Sequence, residues 1–400
     1  MQDFLSADAV VIRHKSRATR IDPVGHSGST SSHASPDGFG PLHAPATYQS
    51  IQVLRAAAAL MVVLFHAGLR IDSSETLFRV GNAGVDLFFV ISGFVMWTVT
   101  SRRPTAPATF LWHRAIRLVP LYWLMTLLTV AAYGAAPALF PHMRLNLPHV
   151  LLSLGFIPHV TVDGRNEPVL GQGWTLNYEV YFYLLFAATL TLPARWRLGA
   201  ITAALLALAL AGTLLTDTTE LTDLLTNPLL LEFLGGIGIG WLAAGGWRRR
   251  MIWRPSFGFW GCIALGIGGL CVLPAPASGD DLARLPLYGG PAVLIVAGCV
   301  GIEITRGLRL GRVPMLLGAA SYSIYLTHTF VISMIGKFWS SRIASMALPP
   351  AAAVPVSFMI LCTTGAAVVG IAVYLLVERP LLGWLRGALP GRGRPQPRPA

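Results

Sequence analysis

Arg55 and His66 stand eleven residues apart in the run LRAAAALMVVLFH, which carries no other charged side chain. On a helix turning about 100° per residue, eleven steps return a side chain to within about 20° of its starting face, about 16 Å further along the axis. A guanidinium and an imidazole then point the same way. The first is suited to holding phosphate oxygens by charge-assisted hydrogen bonds, the second to taking a proton near neutral pH. Asp86 in GVDLFFVISGF and Glu179 in GWTLNYEVYFY each open another apolar run. Either carboxylate can orient the imidazole for base catalysis, or can serve as the structural partner of a neighbouring arginine or histidine. Arg114 and Arg117 in HRAIRLVPLYW read as further phosphate ligands or as positive anchors beside a helix. Ser321 and His328 share one face of SYSIYLTH, where they bind a substrate or glue two helices together by hydrogen bonds.

The elements that must position these groups are set by composition. Hydrophobic residues make up 54% of the 400, charged residues 12%, and mean hydropathy is +0.60. Aqueous domains carry about a quarter charged residues, so this chain must hide most of its surface in lipid. That excludes a soluble enzyme, a collagen, a secreted disulfide scaffold and a disordered protein. About ten stretches of roughly 17–24 mostly apolar residues are long enough to span a bilayer: 51–69, 83–101, 117–136, 174–192, 198–215, 226–246, 255–273, 284–303, 316–336 and 354–377. The expected fold is an all-α, polytopic transmembrane helix bundle over residues 51–380. A disordered leader, 1–50, precedes it and a basic Pro/Arg-rich tail, 381–400, follows. Leu147 to Val160, short and broken by Pro148 and Pro158, reads as an interfacial or re-entrant piece of the longest loop.

Lys and Arg concentrate in alternate loops, at Arg102, Arg103, Arg114 and Arg117, at Arg195 and Arg197, from Arg248 to Arg254, and at Arg306, Arg309 and Arg312. Positive loops stay in the cytoplasm, so both termini are expected inside, in the cell's inner (plasma) membrane. The net charge of +12 is then a matter of topology, and no nucleic-acid partner is expected. In this orientation Arg55 lies near the cytoplasmic face. His66, Asp86 and Glu179 share a depth towards the outside, and His328 sits near mid-membrane. The four cysteines, Cys262, Cys271, Cys299 and Cys362, fall in apolar runs without metal-ligand spacing, so they read as buried inert thiols, and no metal is expected.

Taken in order, the segments around Arg55 and His66, Asp86, Arg114 and Arg117, Glu179 and His328, closed by VERP at Glu378, resemble the acyltransferase-3 family of integral membrane enzymes. The likeness is greatest to members that O-acetylate exopolysaccharides and O-antigens. The residues VYFY after Glu179 depart from the EQFY of many members, so a second carboxylate is missing there.

The resemblance implies an O-acyltransferase with acetyl-CoA, or another acyl-CoA, as cytoplasmic donor substrate and no tightly bound cofactor. The acceptor is a hydroxyl of a glycan or glycolipid. Arg55, Arg114 and Arg117 would hold the CoA phosphates. His66 would act as base or acyl carrier, with Glu179 or Asp86 orienting it. Trp174, Tyr178, Ser321 and His328 would line the acceptor. The competing class is a transporter or an acyl-group channel, since buried His, Asp, Glu and Arg also build proton and substrate paths.

Overall fold

The computed structural model describes residues 48–70, 80–102, 104–140, 143–216, 218–245, 257–276, 279–346 and 353–387. Their regular structure is helical: α1 (Gln49–Arg70), α2 (Gly84–Arg102), α3 (Pro107–Ala135), α4 (Leu147–Leu154), α5 (Trp174–Thr189), α6 (Ala194–Leu214) and α7 (Glu220–Thr226) come first. α8 (Leu230–Ala244), α9 (Phe257–Val272), α10 (Gly290–Arg306), α11 (Arg312–Ala319), α12 (Ser321–Met346), α13 (Ala353–Val373) and α14 (Arg379–Gly387) follow. Among the described residues the only β-contact outside the helices is an isolated bridge between Val160 and Asn166.

Seven helical stretches are long and apolar enough to cross a bilayer, and α11 with α12, bent by 72° at their junction, makes an eighth. The chain is a multi-pass membrane protein. Every expected span has a helix at its position, but α5 and α9 have 16 residues each. They rise only about 24 Å, short of a ~30 Å hydrocarbon core. The stretch from Trp247 to Arg254, the leader as far as residue 47 and the tail after Gly387 lie outside the described residues. Residues 381–387, expected in that tail, instead complete α14.

α1 is packed by α2, α10, α11, α12 and α13. Its small residues make this possible: Ala58 and Ala59 are wholly buried, and the backbone of Gln52 touches Gly318 at the end of α11. The first amides of α1 would be orphan donors, and Glu303 of α10 satisfies them. It accepts from the Gln49 and Ser50 backbone N–H groups, each at 2.8 Å, and from Ser50 Oγ at 2.5 Å. α2 packs most extensively on α8. A Cβ at Gly93 would overlap the Phe233 carbonyl and one at Gly236 the Val90 carbonyl, so only glycine lets these two backbones meet.

α3 begins ten residues before the expected span, at a proline suited to the first helical turn. Arg114 and Arg117 are therefore two to three turns inside a helix rather than at its mouth. Cys271 corrects a second expectation: it is exposed on α9, while Cys362 is buried and the other two are intermediate.

Candidate active site

His66 of α1 and His328 of α12 meet edge to face, with ring centroids 4.9 Å apart and an interplanar angle of 63°. His66 Nδ1 lies 2.9 Å from the Val62 carbonyl, and His328 Nδ1 lies 2.6 Å from the Tyr325 carbonyl. A carbonyl oxygen can only accept, so in neutral rings both Nδ1 atoms carry the hydrogen. His328 Nε2, 3.4 Å from His66 Nδ1, then presents a lone pair to that N–H. The remaining lone pair of His66 is on Nε2. His328 is wholly buried, whereas His66 is half-buried.

Neither carboxylate expected to orient His66 has a hydrogen bond to it. His328 occupies that role geometrically. Asp86, fully buried in the first turn of α2, accepts from Arg284 Nε at 2.9 Å and from its Nη2 at 2.7 Å. Arg284 Nη2 also donates to the Asn82 carbonyl at 3.1 Å, and its guanidinium lies over the Tyr288 ring at 5.4 Å. Arg284 was not singled out in the sequence; its one signal there is a lone cation at the very start of an apolar run. Glu232 of α8 is buried beside this pair, and neither of its oxygens has a hydrogen-bond partner among the described residues. Glu179, in the second turn of α5, accepts from Ser92 Oγ at 2.8 Å and from the Tyr183 hydroxyl.

The three arginines differ. Arg55 is half-buried near the start of α1, and the unbroken helix keeps it on the His66 face. Arg114 is half-buried, with a buried Nε that has no hydrogen-bond partner among the described residues. Arg117 forms an ion pair with Glu378, which is 1% exposed and also accepts from Ser323 Oγ; the guanidinium sits 5.8 Å from the Tyr322 ring centroid. The VERP glutamate thus ties α12 and α3 together, and Arg117 is largely committed to it. Ser321 is wholly buried, and its Oγ has no hydrogen-bond partner among the described residues.

Trp174 and Tyr178 stand edge to face, centroids 5.8 Å apart, on the first turns of α5. The segment leading to them is ordered by its own bonds. Asn146 caps α4 through His149 N at 2.8 Å. Tyr122 and Trp123 of α3 donate to the carbonyls of Ser153 and Leu154 at 3.0 and 2.9 Å. A second imidazole pair lies here, His149 Nδ1 being 2.7 Å from His159 Nε2, while His159 Nδ1 donates to the Ile157 carbonyl at 2.8 Å. Burial, then His159, then Arg165 hold the His149 pKa below the usual 6.5. Among the described residues no three His, Cys, Asp or Glu side chains gather as a metal site.

The fold is that of a multi-pass membrane protein, and the chain belongs to the acyltransferase-3 family, whose acyltransferase domain matches residues 48–375. It is 40% identical over 323 residues to the exopolysaccharide production protein ExoZ of Rhizobium meliloti strain 1021, covering 80% of this chain and 94% of that one. It is 25% identical over 330 residues to nodulation protein 10 of Rhizobium leguminosarum bv. viciae, covering 74% and 88%. No solved structure matches the chain.

Proposed function

We propose that this protein transfers an acetyl or other short acyl group from cytoplasmic acyl-CoA to a hydroxyl of an exported or cell-surface polysaccharide. The observation that carries the reading is the His66–His328 pair, built on the same unbroken helix that holds Arg55 about 16 Å away. That rise is of the order of the pantetheine arm, so a CoA whose phosphates rest on Arg55 and Arg114 presents its thioester near His66. Arg114, which no carboxylate engages among the described residues, is better placed to take a phosphate than Arg117, which Glu378 engages.

His66 Nε2 takes the proton of the acceptor hydroxyl as its oxygen attacks the thioester carbonyl. The imidazolium that forms keeps its Nδ1–H on the Val62 carbonyl and the His328 lone pair, and then returns the proton to the departing thiolate. The same Nε2 lone pair is the nucleophile if an acyl-imidazole forms first. Glu179, held by Ser92 and Tyr183, stands in the bundle without a hydrogen bond to His66. Asp86 acts through Arg284 by holding α2 in place, and Trp174 and Tyr178 offer stacking faces for the acceptor. The polysaccharide is favoured by the exopolysaccharide role in the name of the relative from Rhizobium meliloti.

Purified protein in proteoliposomes, given radiolabelled acetyl-CoA and de-acylated exopolysaccharide, should yield label on the glycan as an alkali-labile ester. Movement of label across the bilayer without ester formation would favour a carrier instead. Sidedness is read with Val162→Cys, a position 74% exposed in the segment before α5, on a background lacking the exposed Cys271. An impermeant thiol reagent should label it from outside intact cells; labelling only after the membrane is opened would reverse the topology. Ser153 is no site for such a probe, being 2% exposed with its hydroxyl bonded to His149 O.

A further inference from the structure

Gln172 lies in the single 3-10 turn Gly171–Gly173 that delivers the chain into α5, and it is 5% exposed. Its side chain leaves its own segment and reaches α12. Nε2 donates to the Leu326 carbonyl at 2.7 Å, and Oε1 accepts from Thr329 Oγ1 at 3.3 Å. Its main-chain carbonyl accepts from the Tyr325 hydroxyl at 2.9 Å, and that hydroxyl is 2.7 Å from Thr175 Oγ1. All three bonds fall between Tyr325 and Thr329, the turn that carries His328. The carbonyl of Tyr325 is the same one that fixes the His328 tautomer.

A helical carbonyl has two lone pairs, so Leu326 can accept from Gln172 while keeping its place in the helix. The amide of glutamine matches this site because it presents a donor and an acceptor side by side, to a carbonyl and a hydroxyl of α12 residues that stand about a turn apart. Gly173 lets the same turn lie against α3: a Cβ there would be 2.8 Å from the Tyr122 ring. The aromatic pair Trp174–Tyr178 begins one residue after this turn.

We propose that Gln172 is a positioning residue, which clamps the His328 turn of α12 to the segment beside Trp174 and thereby couples that segment to the His66–His328 pair. This rests on the transferase reading above. An acceptor seated against Trp174 would then reach the histidines through one backbone connection, and displacement of the clamp would turn His328 Nε2 away from His66 Nδ1. Gln172 touches neither reacting atom, so its effect falls on turnover rather than on binding of the donor.

The test compares Gln172→Met, which keeps the shape and removes both amide bonds, with Gln172→Ala and wild type. Hydrogen exchange of the amides at 325–330 reads the clamp itself: it should quicken in both variants, and unchanged exchange overturns the proposal. In the transfer assay Gln172→Met should lower kcat by about 100-fold, as expected for a sub-ångström to ångström misplacement, with donor KM unchanged and a shifted pH profile of kcat/KM. Wild-type kcat and pH profile in Gln172→Met would mean that shape alone matters and would likewise overturn it. The fate of the transferase reading is separable: His66→Ala in the same assay tests it without touching the clamp. Faster exchange at 325–330 with undiminished transfer in His66→Ala would sink the chemistry and leave only the clamp.

Discussion

Among the described residues two imidazole pairs form, and they are built in opposite ways. His149 and His159 are ten positions apart in one segment, bonded at 2.7 Å, with His159 anchored on the Ile157 carbonyl just before it. His66 and His328 are 262 positions apart, each ring anchored on a carbonyl of its own helix, so their contact exists only because α1 and α12 pack. The first pair is set by one short segment, with His149 buried and His159 half-buried. The second is held by two helices that cannot move independently of the bundle, which is what a base needs in order to keep one nitrogen aimed at a reacting atom. On the proposed transferase reading, the pair to test is therefore the one whose rings are fixed by helix carbonyls on both sides of an interface, rather than the one that lies close in the chain.

The sharpest way to break this comparison is His66→Ala. It should lower acyl transfer by about 10³-fold or more with unchanged abundance in the membrane, measured by label on the glycan and by immunoblot. Near-normal transfer would remove the central claim, and His66→Gln repeats the test with closer shape. His328→Ala should cost less, about 100-fold in kcat, since Val62 still accepts from His66 Nδ1. Equal losses in the two single variants and in the double variant would instead mean that the rings act as one unit.

Next in size are the arginines, where an uncommitted group is set against a committed one. Arg114→Ala should raise donor KM about 10-fold while leaving acceptor KM alone, and lysine should restore only part of that, lacking the planar fork. Arg117→Ala should act mainly on the fold, because it leaves the buried Glu378 carboxylate unpaired, a loss of about 3–5 kcal/mol. Detergent thermal stability and donor KM measured on both variants separate the two roles; a pure KM effect in Arg117→Ala would return it to the donor site.

The smallest effect belongs to the local pair. A His149 pKa held below its unfolded value means the unfolded segment binds more protons. The segment's stability is therefore complete above pH 6.5 and declines as pH falls below it. Protection of the amides of residues 147–160, measured against the intrinsic exchange rate at each pH, should fall a few-fold on acidification, and His149→Gln should flatten that response. Transfer activity above pH 7 should be nearly untouched by His149→Gln; a loss as large as that of His66→Ala would erase the distinction between the pairs.

Much of the site was legible because helical periodicity is enforced locally. Arg55 and His66 had to share a face once the segment was a helix, and the sequence needed only to be apolar enough to make it one. What could not be read was partnership. Asp86 and His66 sit at related depths along their helices, but depth says nothing about rotation, and the aspartate turns to Arg284, a residue that reads as a loop-edge cation. The same holds for Arg117, whose periodicity matches Arg114 as a helix-flanking anchor but whose partner, Glu378, is 261 positions away.

The sequence by itself determined that this chain lives in lipid and that an arginine and a histidine line one face of its first membrane helix; it expected about ten spans, where among the described residues seven helices, with one bent pair as an eighth, are long and apolar enough to cross. Composition and spacing are properties of the chain before it folds. Only the tertiary structure decided that His328 rather than a carboxylate stands behind His66, that Arg284 claims Asp86, and that Gln172 reaches the turn holding His328. Those outcomes depend on how helices rotate about their axes as small residues such as Gly93, Gly236 and Ala58 let backbones meet. In a medium where every buried polar group must find a partner inside the protein, that packing selects the partner.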